Sequence, residues 1–420
     1  MTSVANSSAP ANGPLRTRRQ SLWRKPAVVA MMLGSFGIGT TEFVAMGLLP
    51  EIANGIGVTE PSAGHTISAY AFGVVVGAPL IAIGAARVAR RLLLITLMVA
   101  FTVGNVATML APTYEALLAA RFLAGLPHGA YFGVAALVAA ELAGPGMRAR
   151  AVAQVMLGLS LANVAGVPVA TALGQHFGWR SAFALVAAIG VLTVFALQRL
   201  VPDVPLPQGS SPLKELAGFR NIQIWLTLLT GIVGFGGMFA IYTYISSTVQ
   251  EEAGIPRALV PLVLMLYGAG MVIGNLFGGM IADRSLKAGL FGLFVGLSVL
   301  LALFTVTAGI PLLAVLNLVL IAIFGTALVP GLQTRLMDVA KDAQTLAATA
   351  NHSALNIANG VGAMLGGLVI GAGYGYRAPA AVGAVLAALG VVVFAVAVLI
   401  ERRGVQRYRA QRLSDHSLLR

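Results

Sequence analysis

Apolar residues fill nearly the whole chain in long runs, each closed by a short cluster of proline, glycine or charge. A run of about 20 apolar residues crosses the hydrocarbon core of a bilayer as a helix. Twelve such spans are predicted, at about 26–50, 65–85, 92–111, 115–140, 151–173, 181–201, 223–248, 259–282, 288–308, 311–334, 344–372 and 378–400. The leader before them is rich in Ser, Pro and Asn and then basic at Arg16, Arg18, Arg19, Arg24 and Lys25. The apolar run after it is too long for a signal-peptide core, so the leader is expected to stay attached.

The polar gaps alternate in charge. Of 27 Lys and Arg residues, 23 fall in the leader, in every second gap and in the tail. Arg180, Arg257 and Arg377 fall in the other gaps, and Arg121 lies inside span four. Basic residues beside apolar spans favour the cytoplasmic side, so both termini are expected there.

Span two also repeats itself. Tyr70, Gly73, Val75 and Gly77 recur 197 residues later as Tyr267, Gly270, Val272 and Gly274 in span eight. Leu161-Ala162-Asn163 with Gly166 in span five recurs 196 residues later as Ile357-Ala358-Asn359 with Gly362 in span eleven. The expected organisation is a cytoplasmic basic leader (1–25), a six-helix bundle (26–201), a central cytoplasmic loop (202–222), a second six-helix bundle (223–400) and a cytoplasmic basic tail (401–420). The loop holds the one long Pro/Gly/Ser stretch between spans, Pro202 to Pro212. The fold class is therefore all-α and membrane-spanning, with twelve transmembrane helices in two pseudo-symmetric bundles.

Composition sharpens this picture. With 58% apolar and 10% charged residues and a mean hydropathy of +0.88, the chain has too little polar surface for a soluble globule. The net charge of +13 resides in short loops and tails beside the spans rather than on a contiguous face, so no nucleic-acid partner is expected. There is no cysteine, which excludes disulfides and thiolate chemistry. Neither a metal-ligand spacing among the five histidines nor a phosphate-binding Gly-rich loop is present. No cofactor is expected.

Glu42 is the one acidic residue placed deep in a span. A charge near mid-bilayer costs upward of about 2.5 kcal/mol, so such residues mark ion or substrate pathways. Arg121 falls at similar depth in span four, and the two are expected to pair, or to exchange partners, in a cavity of the first half. A proton-coupling role suits a carboxylate, whose charge can be removed at accessible pH. Other readings stay open: span one ends early and Glu42 meets water, the pair is purely structural, or Arg121 snorkels to the headgroups.

Further cavity candidates are Tyr70, His128, Asn163, Phe235, Phe239, Tyr242, Tyr244, His352, Asn356 and Asn359. His352, Asn356 and Asn359 share one helix face, which either lines the cavity or binds helices together. The aromatic residues of span seven form either a wall for an amphipathic solute or a packing surface. His128 is either a core histidine or a proton relay. Gly166 with Pro168, and Gly125 with Gly129, permit close approach and bending of helices, a gating geometry.

At these motifs the chain resembles the major facilitator superfamily, over essentially all of 26–400. Arg121-Phe122-Leu123-Ala124-Gly125 through Gly129 is similar to the family's span-four motif, and Gly279 through Asp283-Arg284 to its signature loop after span eight. The counterpart after span two keeps Arg87, Arg90 and Arg91 but has Ala86 where an Asp is usual. The resemblance implies gating roles for Arg87, Arg90, Arg91, Asp283 and Arg284. Gly158, Pro168 and Gly174 loosely resemble the antiporter motif of drug/proton exporters. Gly39-Thr40-Thr41-Glu42-Phe43 through Pro50, with Gly178-Trp179-Arg180, is similar to the branch of chloramphenicol exporters and arabinose-efflux-like permeases.

The expected protein is a proton-coupled exporter of small amphipathic compounds (a phenicol-type antibiotic, a sugar or a nucleoside) in a bacterial inner membrane. It would be driven by the proton gradient, with a small molecule, protons and lipid as its partners, and would act as a monomer. An uncoupled facilitator or importer is the alternative, and a membrane-embedded enzyme or receptor a remote one.

Overall fold

The computed structural model describes residues 14–84, 88–143, 148–204, 221–340 and 344–418. Among them, eleven helices are long and apolar enough to cross a membrane. One of these, Arg257–Thr307, is 51 residues long and breaks at Ser285, so it holds two crossings. The fold is thus all-helical, with twelve crossings in two bundles of six. Large apolar side chains such as Phe72, Val306, Leu312 and Val385 stand exposed on the outer surface, as a lipid-facing shell requires.

The elements of the first half are α1 (Pro14–Gly47), α2 (Leu49–Ile56), α3 (Glu60–Gly84), α4 (Arg90–Leu110), α5 (Tyr114–Ala143), α6 (Arg148–Leu161), α7 (Val167–Phe177) and α8 (Arg180–Leu200). Those of the second are α9 (Ile222–Tyr242), α10 (Ile245–Glu251), α11 (Val260–Thr307), α12 (Pro311–Ala340), α13 (Gln344–Gly371) and α14 (Ala378–Leu418). Helix α1 begins inside the predicted leader and α14 runs on through the predicted tail, because Arg, Gln, Leu and Ala there are good helix formers. A π-helical turn, Ala162–Gly166, joins α6 to α7. Pro168 explains it: a proline has no N–H to donate and crowds the carbonyl four residues back, so the ladder slips by one residue.

The repeat seen in the sequence extends to contacts. A Cβ on Gly73 would lie 2.2 Å from the Phe122 carbonyl oxygen, and one on Gly77 would lie 2.1 Å from that of Leu126. In the second half Gly270 meets the Val319 carbonyl and Gly274 that of Ile323. All four pairs keep the 197-residue offset, so each glycine and the backbone it touches are duplicated together. The first crossing of each half also breaks at equivalent positions, Leu48 (φ −113°, ψ 19°) and Tyr244 (φ −106°, ψ 17°). Pro50 accounts for the first break, whereas the second occurs without a proline.

Candidate functional site

The two halves touch from one end of the molecule to about its middle, then part. At the touching end Glu51 pairs with Arg257 at 2.8 Å, and Gln175 and Arg257 exchange hydrogen bonds through their backbone carbonyls. Ser247 donates to the Glu60 carboxylate nearby. Deeper in, Phe43 stacks on Phe239 and packs on Tyr242, which itself lies flat on Tyr267 of its own half, with centroids 4.3 Å apart. Gly268 abuts the Asn163 backbone, and Ser68 donates to the Gly360 carbonyl at 3.1 Å. One turn further along the same helices the walls separate around a cavity of about 860 Å³.

Val74, Phe132, Ser160, Val272, Gln333 and His352 are among its lining. Its lining extends toward the ends of α3, α5, α12 and α13 that adjoin the basic loops, at Ala78, Ala136, Gln333 and Asn351. Both halves contribute, and no Asp, Glu, Lys or Arg is among the described lining residues. Such a chamber offers apolar surface with scattered amide, hydroxyl and imidazole groups, which suits an uncharged amphipathic solute.

Neither Glu42 nor Arg121 is among the residues that line the cavity. Glu42 is 7% exposed and Arg121 1%, and Glu42 is the one buried carboxylate among the described residues. They do not form the expected direct pair. Instead Arg121 Nη1 donates to Thr41 Oγ1 (3.1 Å) and Nη2 to the Thr41 carbonyl (3.2 Å). The Thr41 hydroxyl donates in turn to Asn105 Oδ1 at 2.6 Å. The guanidinium lies over the Tyr70 ring, 4.3 Å from its centroid, with Phe183 at 5.5 Å. Glu42 remains within electrostatic range of Arg121, Tyr70 and Tyr242. The physical reason for the correction is competition: Thr41 presents both a hydroxyl and a carbonyl to a forked donor, and the adjacent Glu42 is left without a hydrogen-bond partner among the described residues. Its charge can therefore change without a direct ion pair being broken.

The remaining candidates divide by depth. His352 lines the cavity, and its ring lies parallel to Phe132 across it, 6.2 Å centroid to centroid. Asn163, Asn356 and Asn359 are buried about one turn past the floor. Both amide atoms of Asn359, and the side-chain oxygens of Asn163 and Asn356, have no protein partner. Tyr70 bonds His128, hydroxyl to Nδ1, at 3.0 Å. Phe235, Phe239, Tyr242 and Tyr244 form no cavity wall; they pack into the closed contact between halves and against α13. Their helical spacing serves burial instead.

Among the gating candidates, Gly166 packs against Thr40 and Phe36 of α1 where a Cβ would clash, and Pro168 opens α7. Arg91 reaches the Gln198 carbonyl at 2.5 Å and Asp203 at 3.5 Å. Arg90 starts α4, and Asp283 and Arg284 are exposed beside the break at Ser285. Arg87 lies outside the described residues.

Sequence reasoning passed over Thr41, Asn105 and Phe183, which hold Arg121. A lone Asn in the middle of an apolar span was the available signal. Arg335, read as a loop residue, is instead buried, bonded to Gln223 at 3.1 Å and to Glu401 at 2.8 Å.

Comparison with known proteins fits this geometry. The Major Facilitator Superfamily model matches residues 31–294 and 227–419. The inner membrane transport protein YdhP of Escherichia coli is 42% identical over 365 residues, covering 87% of this chain and 94% of its own. A chloramphenicol resistance protein of Streptomyces lividans is 32% identical over 366 residues, covering 85% and 92%. The solved structure of the nucleoside transporter NupG superimposes with a TM-score of 0.71 over 88% of this chain and 99% of that one, at 14% identity. That likeness bears on the fold alone.

Proposed function

The chain belongs to the major facilitator superfamily, and on that premise we propose that this transporter exports small, largely uncharged amphipathic compounds in exchange for protons, by alternating access. The family and fold are those of a transporter rather than an enzyme, with a small-molecule substrate. The carrying observation is Glu42, a buried carboxylate with no hydrogen-bond partner among the described residues, in a chain whose central cavity has no charged side chain among its described lining.

The basic loops and both termini lie in the cytoplasm, so the cavity faces inward and loads there, while the Glu51–Arg257 end is shut to the outside. Substrate enters from the cytoplasm as Glu42 gives up its proton, and the halves rock about their mid-membrane contact. The site then opens outward, where solute leaves and Glu42 is protonated again. Each pH unit supplies about 1.4 kcal/mol and each 100 mV about 2.3 kcal/mol per charge. No cofactor is needed, because the gradient does the work, and one chain supplies both halves of the site. The resemblance to a chloramphenicol resistance protein supports phenicol-type antibiotics as substrates, with sugars and nucleosides as the other candidates.

The test uses inside-out vesicles, acidic within, and labelled chloramphenicol, uridine and arabinose. At least one solute should accumulate and leak away when nigericin collapses the pH gradient. Accumulation of none, or accumulation indifferent to nigericin, would overturn the proposal.

A further inference from the structure

A line of side chains leads from the cavity to the buried charges. Phe132 and Gly129 of α5 both line the cavity. Behind them sits His128, its ring 5.2 Å from that of Phe132. Its Nδ1 bonds the Tyr70 hydroxyl, and its other ring nitrogen has no protein hydrogen bond among the described residues. Tyr70 in turn lies beneath the Arg121 guanidinium and within electrostatic range of Glu42. The titratable and charged groups around His128 are Tyr70 from α3, His352 from α13, and, past Tyr70, Glu42 from α1 and Arg121 from α5. Tyr131 is turned away, its hydroxyl bonded to the Met31 carbonyl.

We infer that His128 and Tyr70 form a proton relay that connects the cavity with Glu42, an inference that rests on the proton-coupled reading above. A neutral imidazole carries one donor and one acceptor nitrogen, so a purely structural buried histidine would have a partner for each. Here Nε2 has none among the described residues, on a residue adjacent in sequence to cavity-lining Gly129, and the partner of Nδ1 is a hydroxyl, which accepts one proton while passing on another. The transfer balances. With the ring proton on Nδ1, Nε2 takes a proton from cavity water, Nδ1 hands its own to the Tyr70 oxygen, and the Tyr70 hydroxyl proton passes through an intervening water to the Glu42 carboxylate. The imidazole ends as the other neutral tautomer and Tyr70 as a phenol. Rotation of both groups resets the relay, and the reverse sequence empties Glu42 into the cavity.

The experiment is time-resolved infrared spectroscopy of the full-length protein in liposomes after a light-triggered release of protons. The protonated-carboxyl band of Glu42 is identified by its absence from Glu42→Gln. His128→Ala and Tyr70→Phe should each slow the rise of that band at least tenfold and leave its final amplitude unchanged. Added imidazole should restore the rate in His128→Ala and not in Tyr70→Phe. His128→Asn keeps a polar side chain that cannot relay a proton, and should be as slow as His128→Ala. Wild-type rates in His128→Asn and Tyr70→Phe would overturn the relay and leave Glu42 as carrier. A band absent from the wild type would remove the carrier, and the relay with it.

Discussion

Alanine at Gly77 places a methyl group 2.1 Å from the Leu126 carbonyl oxygen, and alanine at Gly274 places one 2.2 Å from that of Ile323. Ordinary contact between such atoms begins near 3.4 Å, so each helix pair must part by about 1 Å. At Gly77 the nearest atoms are all backbone of Leu126; at Gly274 the Thr326 hydroxyl, at 2.3 Å, joins the Ile323 backbone. Overpacking of this kind costs about 1–3 kcal/mol. It is offset in part by up to about 1 kcal/mol of helix propensity gained when glycine becomes alanine. Each substitution is therefore expected to destabilise by about 1–2 kcal/mol, and Gly274→Ala by no less than Gly77→Ala, because it meets the Thr326 hydroxyl besides the duplicated carbonyl. The measurement is unfolding by titration with denaturing detergent, read against Gly292→Ala, where a Cβ meets nothing within 4 Å. That control should be neutral or slightly stabilising. Gly77→Ala and Gly274→Ala unfolding like the control would refute the duplicated close approach.

Thr41→Val removes the hydroxyl that ties Arg121 to Asn105 and should cost about 3 kcal/mol, one charged and one neutral hydrogen bond. Thr41→Ser should recover most of it in the same unfolding assay; equal stability of the valine variant and the wild type would contradict the tether. Glu51→Gln breaks the ion pair with Arg257, which is half exposed and so worth about 0.5–1 kcal/mol. In this cysteine-free chain, a cysteine introduced at the buried Ser246 should then be labelled from outside the cell roughly threefold faster. Charge exchange in Glu51→Arg with Arg257→Glu should return the rate toward that of the intact pair; no change in either variant would remove this contact as a latch.

The twelve crossings were legible because a bilayer demands length and apolarity, which need no tertiary information. Glu42 was legible for a related reason, its position far from either end of an apolar run. The repeat of Gly73 and Gly77 at Gly270 and Gly274 showed in the residues themselves. Its meaning, a carbonyl of the neighbouring helix at each glycine, did not, since the partner carbonyl belongs to the backbone and leaves no mark in the sequence. The partner of Arg121 was hidden in another way. Charge complementarity pointed to Glu42, but the forked guanidinium took neutral oxygens of Thr41 that any threonine offers. The aromatic residues of α9 have the spacing of a wall and the surroundings of a core, and spacing alone does not tell the two apart. Pro168 two residues after Gly166 was a legible bend, whereas the π-helical turn that absorbs it depends on how α6 packs on α1.

Glu42→Gln in proteoliposomes tests the central claim most directly, with solute exchange and pH-driven accumulation measured on one preparation. Exchange of labelled for unlabelled solute needs the halves to rock and the cavity to bind, and should persist in the variant. Accumulation against a gradient needs a proton to be carried, and should vanish. Undiminished accumulation in Glu42→Gln would contradict the account.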